Sequence, residues 1–123
     1  SEFSGGWRMR IELAKILLKK PVLFTNYIIT SPSLWWDNQS LLTYASRDLS
    51  NQKNLKLNVY LAVGKEGSVM ENDAKDFARI IQSVDKKNIN FHFEYFPKEN
   101  HATILHNSIY KAFLLEFPYK EPK

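Results

Sequence analysis

Hydrophobic and polar positions alternate most cleanly from Leu57 to Val63: Leu57, Val59, Leu61 and Val63 share one side, Asn58, Tyr60 and Ala62 the other. The run stops at Gly64, where the chain turns freely, and this predicts a strand. Met70, Ala74, Phe77, Ala78, Ile81 and Val84 then recur at helical spacing, with Glu71, Lys75, Asp76, Arg79 and Gln82 on the opposite, wet face. Asn88 to Phe96 predicts a second strand, with Phe91, Phe93 and Tyr95 on one face and His92, Glu94 and Phe96 on the other, closed by Pro97. Upstream, Ile11, Ala14, Leu17 and Leu18 predict a helix stopped by Pro21, and Phe24 to Thr30 predicts a strand broken by Ser31-Pro32-Ser33. Leu34-Trp35-Trp36-Asp37 reads as an aromatic loop, after which Asp37 or Asn38 caps a helix through Leu41, Leu42, Ala45 and Leu49. A last helix from Ala102 to Phe117 places Ile104, Ile109, Ala112, Phe113 and Leu115 on its buried side.

Helices and strands therefore alternate, four helices with three strands between them. This order implies an α/β fold with a parallel sheet and helices on both faces. A strand-helix-strand crossover brings both strand C-termini to one edge, so Glu66, just after Gly64, and His101, after the loop Lys98-Glu99-Asn100, are expected on one rim. The first strand is left with an uncovered apolar edge, a surface through which the chain is expected to self-associate.

The 123 residues bound the chain to one domain, and the formal net charge of +4 comes from lysines scattered over helix faces and loops. No basic stripe or nucleic-acid motif accompanies that charge, so no nucleic-acid partner is expected. Absence of cysteine excludes disulfides and thiolate catalysis. No apolar run approaches the roughly 18 to 20 residues that span a bilayer, and no signal-peptide core opens the chain, so a soluble protein of undetermined compartment is expected. Three histidines without an HExxH pair give no metal site, and Gly64 to Gly67 lacks the order of a phosphate-binding loop; neither metal nor cofactor is expected. His92 reads as a sheet residue and His106 as a surface one.

Three segments together resemble the putative-esterase family of α/β-hydrolases, the group related to esterase D and the enterobactin-type siderophore esterases. PVLFTNYIITSPSLWW resembles the strand and loop that follow the nucleophile helix; NVYLAVGKEGSVMENDAKDFARII resembles the strand, acid loop and helix; FHFEYFPKENHATILHNSIYKAFLLEF resembles the last strand, histidine loop and C-terminal helix. The resemblance spans nearly all of Ile11 to Phe117 and implies the C-terminal part of an α/β-hydrolase domain over residues 9–123. It also implies hydrolysis of a small-molecule carboxylic ester through serine, acid and histidine in that chain order. His101 would be the general base, against a plain reading as a solvated loop histidine. Glu66 would be the acid, with Glu71 and Asp73 competing for the role, and Trp35 and Trp36 would wall a substrate pocket or else cover the sheet edge.

The nucleophile is the point of departure from the family. Its elbow reads GxSxGG, and Glu2-Phe3-Ser4-Gly5-Gly6 places Phe3 where the serine belongs, while counting back from Pro21 without a gap places Trp7 there. Ser4 serves as nucleophile only in a shifted elbow. Residues 1–8 accordingly read as a cloning-site remnant and degenerate elbow, and the expectation is a fragment with little or no activity by itself. The alternative from another class is a non-catalytic hydrolase-like module that binds a partner through Trp35, Trp36 and the sheet edge.

Overall fold

A computed structural model describes residues 14–19, 24–51, 56–84 and 88–122. Residues 14–19 are helical (α1), and β1 (Asn26–Thr30), α2 (Trp36–Ser50), β2 (Leu57–Gly64), α3 (Ser68–Ser83), β3 (Ile89–Phe96) and α4 (Ile104–Glu116) follow in strict alternation. The expected first strand is shortened by two residues, since Phe24 and Thr25 precede the ladder. Residues 1–8, with Ser4 and the elbow register, lie outside the described residues.

The strands form one parallel sheet in the order β1-β2-β3. Because the pleat alternates, odd and even positions of each strand meet different helices. Tyr27, Ile29, Leu57, Val59 and Leu61 face the core under α1, α2 and α3, built from Ala14, Leu17, Leu18, Leu41, Ala45, Leu49, Phe77, Ala78 and Ile81. Tyr60, Ala62 and Phe96 face Ile104 and Ala112 of α4 on the other side. This distribution follows from handedness: two successive right-handed crossovers that step in one direction put α2 and α3 on the same face. The helix after β3 then covers the opposite one.

Asn26, Asn58 and Asn90 stand in register across the sheet. Asn58 Nδ2 donates to Asn26 Oδ1 at 2.9 Å, and Asn90 Nδ2 to Asn58 Oδ1 at 3.3 Å. In a parallel sheet a one-residue slip would reverse every side chain, so this polar row pins the same register that the apolar rows require.

Two expectations about the helices are corrected. Asp37 and Asn38 do not cap α2 through their side chains; they and Gln39 adopt left-handed backbone, with φ of 53°, 53° and 61°, and kink the start of the helix. Short polar side chains tolerate that conformation better than most, and Gln39 is tied down by its Nε2 donating to Asp73 Oδ1 at 2.6 Å. On α4 the buried stripe is Ile104, Ser108 and Ala112, whereas Ile109, Phe113 and Leu115, expected inside, are 39%, 52% and 48% exposed. The sheet that α4 covers is narrow, so only positions four apart, one above another on a single line, reach it. Glu116 continues that line, and both its carboxylate oxygens are buried with no hydrogen-bond partner. Burial pushes its pKa up to about 7.

Candidate active site

The C-terminal ends of β1, β2 and β3 deliver Ser31, Glu66 and His101 to one rim. Gly64 ends β2, and its N–H donates to Glu66 Oε2 at 2.8 Å, folding the carboxylate back over the strand end. The loop after β3 closes on the same place: Lys65 N–H donates to the Glu99 carbonyl at 2.7 Å. A side chain at position 64 would put its Cβ 2.6 Å from the Glu99 oxygen, so the approach of the two loops requires glycine.

His101 is held by a polar turn. Asn100 N–H donates to Thr103 Oγ1 at 3.0 Å, while Asn100 Oδ1 accepts from Ala102 N at 2.8 Å and Thr103 N at 3.2 Å. The reciprocal pattern resembles a capping box and fixes the chain one turn ahead of α4. It presents His101 Nδ1 at 2.5 Å from Glu66 Oε1, a pair in which the glutamate side chain is 2% exposed and the histidine 47%. A carboxylate on Nδ1 selects the tautomer that carries its proton there and makes Nε2 the basic nitrogen.

The competing acids are occupied elsewhere. Glu71 Oε1 accepts from the Tyr95 hydroxyl at 2.7 Å, a bond that holds Glu71 below the usual carboxylate range and pushes Tyr95 up. Asp73 is buried beside Gln39, and its burial raises its pKa. His92 lies half-buried within β3 and His106 is exposed on α4. No group of three or more metal-ligating side chains occurs among the described residues. No described helix is long and apolar enough to cross a membrane.

Trp35, 38% exposed, lines a shallow cavity of about 380 Å³ with Glu66, Gly67, Ser68, Val69 and Met70. Trp36 opens α2, and its side chain lies outside the described residues. The residue that sequence reasoning passed over is Ser31, read there only as a strand breaker. Its Oγ donates to Glu66 Oε2 at 2.5 Å. Its place directly after β1, in a parallel sheet, was the available signal, because that position must fall on the same rim.

A parallel sheet covered on both faces, with polar side chains gathered at its C-terminal rim, is the arrangement of an α/β-hydrolase, and the chain has that fold. No family model matches it. It is 28% identical over 97 residues to the ferri-bacillibactin esterase BesA of Bacillus subtilis (strain 168), a match covering 74% of this chain and 34% of BesA. Among solved structures it resembles the BES protein from Bacillus cereus, with a TM-score of 0.76 and 30% identity over 89% of this chain and 41% of that one. An IroE-like serine hydrolase from Shewanella oneidensis shares the fold, with a TM-score of 0.77 and 20% identity over 85% of this chain and 36% of the other. The chain thus has the α/β-hydrolase fold and is similar in sequence to a ferri-bacillibactin esterase, and it spans less than half the length of these relatives.

Proposed function

We propose that the chain carries the acid and histidine of a serine-esterase site that cleaves a carboxylic ester, of the siderophore class that the names of its relatives point to. The observation that carries this reading is the Glu66 Oε1 to His101 Nδ1 contact of 2.5 Å at the strand C-termini. In the reaction His101 Nε2 takes the proton from a serine hydroxyl as that oxygen attacks the ester carbonyl. It then returns the proton to the leaving alcohol, and Glu66 stabilises the imidazolium formed between the two steps. Water attack on the acyl-enzyme, assisted by the same histidine, releases the acid. Trp35 stands at the entrance to this rim and forms an apolar wall for the acyl or alcohol group.

Ser4, the candidate serine only in a shifted elbow, lies outside the described residues. Oxyanion donors are each worth on the order of 100- to 1000-fold in turnover, and the elbow sequence departs from GxSxGG, so this chain by itself is expected to hydrolyse esters very slowly. The test is hydrolysis of a short-acyl p-nitrophenyl ester by the natural gene product that contains this sequence. Turnover that disappears in His101→Ala supports the reading, and turnover unchanged in that variant ends it. A natural product with no esterase activity favours the non-catalytic binding module.

A further inference from the structure

Ser31 is fully buried and its backbone sits at φ 49°, in the left-handed region. For a residue with a Cβ this conformation is unfavourable and persists only where the surroundings over-determine it. Lost strand pairing does not account for it, because Ser31 N–H still donates to the Ala62 carbonyl at 2.7 Å, extending the β1–β2 ladder. Had the strand alternation continued, position 31 would fall on the face of Tyr27 and Ile29, under α2 and α3. Its Oγ instead lies 2.5 Å from Glu66 Oε2.

The consequence concerns the other oxygen of that carboxylate. The terminal torsion of a glutamate is broad and roughly two-fold, so a single donor leaves the carboxylate plane free to pivot. Gly64 N–H supplies one donor to Oε2 and Ser31 Oγ a second, from a neighbouring strand. Two donors from different directions fix the plane and leave Oε1 aimed at His101 Nδ1.

We infer that Ser31 is a positioning residue for this site: it touches no reacting atom and acts through Glu66 to orient His101. The inference rests on the proposed pairing of Glu66 with His101, so its test reads that pairing directly, without relying on turnover. In the chain labelled with 15N-histidine, the proton on His101 Nδ1 is expected far downfield, and Glu66→Gln removes that resonance. Ser31→Gly keeps a backbone that accepts positive φ while deleting the hydroxyl, and Ser31→Ala deletes the hydroxyl with the backbone cost retained. Both are expected to move the proton upfield and to speed its exchange with water about tenfold, the factor expected when one hydrogen bond to a charged group is lost. In the Glu66→Gln background, Ser31→Gly is expected to change the His101 ring no further. A resonance that Glu66→Gln abolishes but Ser31→Gly leaves untouched would overturn the role of Ser31 while sparing the Glu66–His101 pair. Its absence from the unsubstituted chain would overturn both.

Discussion

Gly64 and Glu99, thirty-five positions apart in the sequence, approach so closely that the Cβ of any other residue at 64 would stand 2.6 Å from the Glu99 carbonyl oxygen and 3.1 Å from its carbon. The atoms that would be struck are backbone, so they do not move aside by rotating a side chain. This contact docks the loop bearing His101 onto the end of β2.

Gly64→Ala is therefore expected to push the Glu99–His101 loop off the sheet, breaking the Lys65 N–H to Glu99 carbonyl bond. Overpacking of this kind costs about 1–3 kcal/mol, readable as a lowered urea midpoint. The His101 resonance should be lost even in variant molecules that remain folded.

Glu66→Gln preserves shape while removing the charge that stabilises a protonated His101. In the ester-cleaving natural product, kcat is expected to fall by up to about 10,000-fold, the drop that follows when the acid of a serine triad is made neutral. Little change in KM is expected, because Glu66 bonds to Ser31, Gly64 and His101. Steady-state kinetics checks the split.

The buried hydroxyls of Thr30 and Ser108 lie 3.0 Å apart and join β1 to α4. Ser108→Ala strands the Thr30 hydroxyl and is expected to cost about 1–3 kcal/mol. Thr30→Val costs less, since Ser108 Oγ keeps the Leu105 carbonyl as acceptor at 3.2 Å. The double variant should be more stable than the sum of the two singles implies, a coupling of about 0.5–1.5 kcal/mol in a double-mutant cycle.

Glu116 sets a pH dependence whose sign is fixed by its raised pKa. The unfolded chain gives up this proton near pH 4.5 and the folded chain only near 7, so stability declines as pH rises across that window. Asp73, also raised by burial, acts in the same direction. Glu116→Gln cannot ionise and is expected to exceed the unsubstituted chain by about 1–2 kcal/mol at pH ~8, allowing for partial exposure, and to match it near pH ~4. Urea unfolding at the two pH values separates this from a change in packing, which would appear at both.

The α/β part of the fold was legible because its signals are local. The alternation of Leu57 to Val63 and the stripe from Met70 to Val84 each report a period that only one kind of element satisfies. Alternating elements leave a parallel sheet as the economical solution, and that topology alone brings the residues after Gly64 and after Phe96 to one rim. Less was legible at α4. Its apolar residues run almost all round, so the pattern did not say that Ile104, Ser108 and Ala112 would be the buried line and Phe113 an exposed residue. Periodicity names a face only when the faces differ.

What the amino-acid order determined by itself was the identity and succession of the elements, and through them the edge of the sheet at which chemistry can collect. What only the tertiary structure decided was which side chains meet there: Glu66 rather than Glu71 or Asp73 opposite His101, and a left-handed Ser31 behind it. The reason is one of range. Strand and helix patterns are written in neighbours two to four residues apart, whereas a hydrogen bond across thirty-five residues depends on ångström-level placement of loops that no period encodes.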